Sequence, residues 1–247
     1  MSLLLLVIAL KYKIADLIVE MNPKYEESLK LAEPFLYDGA DPADITLTIS
    51  YDRLEETAAN PKCLSTKPQL ENFFLSGAFN RKAINYGTML IHSSALIYDG
   101  GAYLFSADSR VGKSTHTRLW LKAFGDKVHI MNDDKPVVKL LDNQAVAYGT
   151  PFDGGSGIAL NEAYPLKAVI FIERGEENYV RIPETKEIIQ KLYFQTAHMV
   201  GAKTADNMLK NFEKLLSLTK FYVLTCNMEI SAAYTAFSMI INGNKSD

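Results

Sequence analysis

The chain has 247 residues, 48% of them hydrophobic and 22% charged, with a net charge of −3 at pH 7. That supplies one sizeable core with room for a smaller lobe, and no stretch concentrates Lys and Arg into a nucleic-acid footprint. Cys63 and Cys226 stand far apart with no Cys or His at metal-ligand spacing, which argues against a disulfide framework or a zinc site and fits a reducing cytosol.

The apolar run from Leu3 to Leu10 is too short to cross a bilayer. It has no basic stretch before it and no small-residue cleavage site after it, so a buried strand is expected rather than a signal peptide, and no membrane partner. Ile14 to Met21 is a β-branched apolar run that Asn22-Pro23 breaks. Lys24 to Leu36 carries Tyr25, Leu29, Ala32 and Leu36 near helical spacing, and Ile45 to Ile49 alternates with period two as a half-buried strand does. These elements predict a small α+β lobe over residues 1–70. Asp52 to Pro68 is polar, with Asn60-Pro61 and Lys67-Pro68 as breakers, and reads as a connection or mobile loop. No internal repeat is visible.

Residues 71–247 read as the larger unit, with closely spaced apolar strands from Phe73 onward. Met89 to Tyr98 runs into Asp99-Gly100-Gly101, a hairpin turn that feeds a second strand, Gly101 to Phe105, and makes the sheet partly antiparallel. Behind that strand come Ser106-Ala107-Asp108-Ser109-Arg110-Val111-Gly112-Lys113-Ser114-Thr115 and then a helical stretch, His116 to Phe124. Strand, loop, helix is the setting of a phosphate-binding loop. Such a loop needs backbone N–H groups aimed at one point, a helix N-terminus, a Lys for the β/γ-phosphates and a hydroxyl for Mg²⁺. Gly112-Lys113-Ser114 supplies the helix start, the cation and the hydroxyl, although Ala107 stands where the full pattern has Gly.

A short strand, Val128 to Met131, then ends in Asn132-Asp133-Asp134, where carboxylates beside a phosphate loop hold Mg²⁺ or accept a proton from an attacking hydroxyl. Pro136 to Leu141 and Ala145 to Tyr148 flank Asp142-Asn143 as a second hairpin, so a mixed sheet is expected. Gly149 to Gly157 suits either a backbone approaching a ligand or a long surface loop. Lys167 to Gly175 is a strand whose terminal Glu173 or Arg174 points into the site or simply meets solvent. Helices follow over Glu184 to Ala197 and Thr204 to Leu218, then a strand over Phe221 to Cys226 and a closing helix over Ala232 to Ile241. His198 has no evident partner and reads as structural.

Four features in order resemble the bacterial HPr serine kinase/phosphorylase family and its relative phosphoenolpyruvate carboxykinase. Ile91-His92 is similar to the Ile-His before the family's loop. Asp108-Ser109 with Gly112-Lys113-Ser114 resembles Gly-Asp-Ser-Gly-x-Gly-Lys-Ser, Asp133-Asp134 resembles the paired aspartates, and the hairpin between His92 and the loop is similar too. The resemblance covers about residues 88–180 and implies an α/β fold with a mixed-sheet phosphate-loop kinase core. It implies ATP and Mg²⁺ as cofactors and a nucleotide site formed by Asp108, Ser109, Arg110, Val111, Gly112, Lys113, Ser114 and Thr115. Lys113 would grip the β/γ-phosphates, Ser114 ligate Mg²⁺, Asp133 act as general base, Asp134 serve as a metal or positioning partner, and His92 assist the phosphate chemistry. Ala107 and Arg110 replace family glycines, and Arg110 instead offers a built-in cation.

The expected activity is therefore phosphoryl transfer from ATP to a Ser/Thr-type hydroxyl of a protein, peptide or small molecule. A carboxykinase-like or phosphorolytic reaction at the same site and a degenerate nucleotide-sensing or partner-binding module without turnover are the alternatives. The residues 1–70 lobe is expected to recognise the acceptor, and hexameric relatives imply self-association.

Overall fold

The computed structural model describes residues 10–108, 111–196 and 202–242. The expected strand over Leu3 to Leu10 lies outside them except for Leu10, which is exposed ahead of the first strand. His198 also lies outside the described residues.

The first sheet is formed by β1 (Lys11–Ile14), β2 (Leu17–Glu20) and β3 (Ile45–Thr46). The run from Ile14 to Met21 is not one strand: Ala15 and Asp16 both adopt positive φ, at 50° and 59°, and turn β1 back onto β2 as a tight hairpin. Between β2 and β3 lies α1 (Glu26–Ala32), which is shorter than expected because Pro34 converts the next three residues into a 3₁₀ turn. The alternating run after Ile45 pairs over only two residues.

The polar segment from Asp52 to Pro68 is a loop only over residues 59–66. It contains α2 (Tyr51–Ala58), opened by Ser50, whose hydroxyl accepts from the Arg53 N–H, and the start of α3 (Lys67–Ala83). Thr66 and Gln69 form a reciprocal capping box there, and Pro68 sits in the first turn, where its missing N–H costs nothing. Phe73 thus lies on a helix rather than in a strand. α3 packs Leu75 and Phe79 against Tyr12, Val19 and Phe35 around the first sheet and against Leu90 and Val137 behind it.

The main sheet follows: β4 (Thr88–Leu90), β5 (Ser93–Tyr98), β6 (Gly101–Ser106), α4 (Lys113–Phe124), β7 (Val128–Asp134), β8 (Val137–Leu140), β9 (Ala145–Tyr148) and β10 (Ala163–Arg174). After them come β11 (Tyr179–Arg181), α5 (Thr185–Thr196), α6 (Ala202–Leu218), β12 (Lys220–Cys226) and α7 (Ile230–Ala236), the last running into a π-helical turn where an unbroken helix to Ile241 was expected. β10 is the hinge of the architecture. Its first residues pair antiparallel with β9, and its later ones run parallel between β6 and β12. β5 runs antiparallel to both of its neighbours, β6 and β7. The fold is α/β with a mixed sheet, as expected.

The central strands are buried on both faces. Leu104, Val169 and Val223 meet Leu192, Phe212 and Leu215 from α5 and α6, while Phe105, Ile170 and Leu224 meet Trp120 of α4 and Ala232 and Ala236 of α7. Such two-sided burial explains why these strands read as continuous apolar runs rather than alternating ones. Among the described residues, no helix is long and apolar enough to cross a membrane.

Candidate active site

Because β5 is inserted antiparallel, β6, β7, β10 and β12 all run the same way and end at one edge of the sheet. The register places Asp134, Ser93, Ser106 and Phe171 in one row across it. The loop after β6 and the paired aspartates ending β7 therefore share the carboxyl edge, where open α/β sheets bind ligands.

The helix after the expected phosphate loop, α4, starts at Lys113, three residues earlier than the apolar pattern suggests, with Gly112 at its N-cap at φ 126°. The Gly112 carbonyl accepts from the His116 N–H at 2.8 Å, so glycine supplies a backbone conformation that a side chain would strain. Ala107 is not among the residues with positive φ; it is 5% exposed and joins the core cluster of Phe105 and Trp120. A glycine is thus not required there. Val111 packs against the same cluster, and its carbonyl accepts from Arg174 Nε at 2.9 Å, so Arg174 at the end of β10 does turn toward the loop. Ser109 and Arg110 lie outside the described residues.

Lys113, Ser114, Thr115, Asp133, Asp134 and His92 line one cleft of about 500 Å³, together with Asp108 and Gly112. Lys113 Nζ lies 3.2 Å from Asp134 Oδ1 and 3.8 Å from Asp133 Oδ1. Ser114 Oγ donates to Asp133 Oδ1 at 3.2 Å, and Ser94 donates to the same oxygen from β5. His92 Nε2 contacts Asp134 Oδ1 at 2.9 Å, and Lys135 Nζ reaches Asp134 Oδ2 at 3.5 Å. Burial alone would raise the proton affinity of Asp134, but the His92 bond and the Lys113 and Lys135 charges outweigh it and hold its carboxyl well below the usual carboxylate range. Burial pushes Lys135 down from the ordinary lysine value, against the pull of Asp134.

Asp134 also adopts φ 126°, a backbone strain uncommon outside glycine and concentrated at functional sites. A backbone bridge to Asp153 holds it there, and a side chain on Gly154 would come within 3.0 Å of its carboxyl carbon. The glycine-rich segment is therefore a backbone approach to the site. Its own turn is built on Asp153, 4% exposed, whose carboxylate accepts from the Gly155 N–H at 3.0 Å and the Gly157 N–H at 2.5 Å.

His92 is held from the other side by α5. Gln195 Oε1 lies 2.9 Å from His92 Nδ1, and Gln195 Nε2 donates to Asp108 Oδ1 at 2.9 Å. Gln195 thereby ties Asp108, in the loop after β6, to His92, a link that no sequence pattern announced. Lys135, directly after the aspartate pair, and Ser94, on the site face of β5, were legible as types but not as partners. Glu173 is drawn away instead, 2.7 Å from Lys191.

No family model matches this sequence, and no curated protein matches it in sequence. Among solved structures, the HPr(Ser) kinase/phosphatase of Coxiella burnetii matches with a TM-score of 0.37 at 10% identity, over 64% of this chain and 97% of that one.

Proposed function

We propose that the chain is an ATP-dependent kinase that transfers a phosphoryl group to a Ser/Thr-type hydroxyl, with a nucleotide and a hydroxyl acceptor as its partners. The observation that carries this reading is the meeting of Lys113, Ser114, Asp133 and Asp134 in one cleft at the N-terminus of α4. The Lys113 side chain is 11% exposed and already neutralises two carboxylates, buried Asp133 and partly buried Asp134, so phosphate oxygens entering the cleft would replace one set of anions by another. The Ser114 hydroxyl and the Asp133 carboxylate are hard oxygen donors on one side of the cleft and suit Mg²⁺, which takes one or two protein ligands with phosphate oxygens and water. When bound, Mg²⁺ would neutralise charge between the β- and γ-phosphates.

In the transfer, the acceptor oxygen bonds to the γ-phosphorus, the bond to the β–γ bridging oxygen breaks to leave ADP, and the hydroxyl proton passes to a carboxylate. We assign that carboxylate to Asp134 and the metal side to Asp133, the reverse of the sequence expectation. Asp133 is bonded to the metal-side hydroxyl of Ser114, whereas Asp134 is shared with a neighbouring cleft from which an acceptor can approach. Its low proton affinity is eased when Lys113 turns to the phosphates, and a late proton transfer asks little of a base. His92 orients Asp134. The division into a lobe of residues 1–70 and a phosphate-loop unit of residues 71–247 belongs to the same proposal; the separate β1–β2–β3 sheet supports it, while α3 crosses the boundary and shares one core with both sides.

Calorimetric titration of Mg·ATP into the wild type and Lys113→Ala tests the site; binding should be lost in the variant. Asp134→Asn should then abolish transfer while nucleotide still binds, and Asp133→Asn should weaken the Mg²⁺ dependence of binding. Intact transfer in Asp134→Asn removes Asp134 from its role. Absence of ATP, ADP or GTP binding to the wild type removes the kinase reading altogether.

A further inference from the structure

Beside the first cleft lies a second of about 550 Å³, reached across His92, Asp108 and Asp134, which line both. Its far walls come from α3 and the end of α5. Phe73 and Phe194 are 47% and 57% exposed there, over a floor of Leu90, Ser76 and Asn80. α3 buries Glu71, Asn72, Ser76 and Asn80 together with its apolar Leu70, Leu75 and Phe79, and leaves Phe73 outside. The polar floor groups are already bonded within the protein. Asn80 Nδ2 donates to the Thr196 carbonyl at 3.0 Å, its Oδ1 accepts from the Leu90 N–H at 2.9 Å, and Ser76 Oγ donates to the Phe73 carbonyl at 2.9 Å.

Lys135 is the exception. It is 9% exposed and lines this cleft; among the described residues its ammonium has one ion pair, to Asp134 at 3.5 Å, with Asp153 acting on it electrostatically and the Phe73 ring 5.4 Å from it. With three donors and one ion pair at 3.5 Å, the ammonium has donor capacity that an anionic oxygen placed in the cleft would use. The volume suits a whole small molecule.

We infer that the second cleft is the acceptor site, and that the acceptor is a small hydroxy acid with an apolar body. Its ring or chain lies between Phe73 and Phe194, its carboxylate meets Lys135, and its hydroxyl faces Asp134 toward the first cleft. The assignment as acceptor rests on the kinase reading above; the binding chemistry of the cleft does not.

Ligand-detected saturation-transfer NMR, which needs no turnover, separates the two. Lactate, phenyllactate and indolelactate serve as probes, with 2-phenylethanol as the analogue lacking a carboxylate. Affinity should rise from lactate to phenyllactate and fall about tenfold for 2-phenylethanol, or about 1.4 kcal/mol. Phe73→Ser and Phe194→Ser, at exposed positions, should weaken phenyllactate severalfold and leave Mg·ATP titration unchanged. Lys135→Met should erase the preference for the carboxylate. The inference is overturned if no acid saturates at millimolar concentration, if the alcohol binds equally well, or if the two Phe variants bind phenyllactate like the wild type. Phenyllactate binding as expected in a protein that fails to bind Mg·ATP would sink the kinase reading and keep the site.

Discussion

His116, in the second turn of α4, offers a quantitative test of how this helix is seated. It is 2% exposed, stacks near Phe105 with ring centroids 5.0 Å apart, and accepts a hydrogen bond from Trp120 Nε1 at Nε2, 2.9 Å away. A bonded acceptor at Nε2 fixes the neutral tautomer protonated at Nδ1, and burial pushes the imidazole down from 6.5 to about 4. Above 6.5 the ring is neutral in both folded and unfolded chains and contributes no pH dependence. As pH falls from 6.5 toward about 4, the unfolded chain takes up a proton that the native state refuses, so stability is lost on the acid side. Linkage gives a loss of about 2 kcal/mol between pH 7 and pH 5, approaching about 3 kcal/mol in full. His116→Gln retains an acceptor for Trp120 without the titration. Urea unfolding followed by the fluorescence of Trp120, the single tryptophan, measures both proteins. Between pH 7 and pH 5 the wild type should lose about 2 kcal/mol more than the variant. Equal losses would mean that the native state solvates or protonates His116, and that α4 is not seated as described.

Three further substitutions probe the scaffold of the two clefts. Gly154→Ala places a Cβ 3.0 Å from the Asp134 carboxyl carbon and should lower phosphoryl transfer on the order of tenfold, with little change in melting temperature, since a small displacement at the chemistry is costly; unchanged transfer would show that Asp134 has room to move. Asn80→Leu orphans the Leu90 N–H and the Thr196 carbonyl, and urea unfolding should show a loss of about 1–3 kcal/mol for each group left unpaired. Gly149→Ala would set a Cβ 1.8 Å from the backbone oxygen of Leu160, so it should destabilise by at least about 1–3 kcal/mol in the same assay; a neutral result would mean that the β9–β10 connection is looser than this close approach implies.

Much of the chain from Thr88 onward was legible because its signals are local. The turn at Asp99-Gly100 needs positive φ at both residues, here 49° and 68°, and residues that tolerate it mark the hairpin at any distance from the rest of the fold. Gly112-Lys113-Ser114 likewise announces a loop closing onto a helix. The first seventy residues misled for the converse reason. Ala15-Asp16 is a weak turn signal, and it reverses the chain because Tyr12, Val19 and Phe35 are collected in one core with α3. Polar α2 is held by its Ser50 cap and by Leu54, fully buried, rather than by a conspicuous apolar stripe.

By itself the sequence determined the chemical inventory of the site: a lysine and a hydroxyl at a helix start, and two carboxylates at the end of a strand. Tertiary structure decided how these are arranged. The antiparallel insertion of β5 puts Asp134 and Ser106 at the same height on the carboxyl edge, and Gln195 reaches across from α5 to fix His92 against Asp134. Neither relation has a sequence period, because strand order and the docking of α5 are set by burying both faces of β10 between two pairs of helices. The same packing leaves Lys135 nearly buried beside exposed Phe73, and so creates the second cleft that no run of residues foretold.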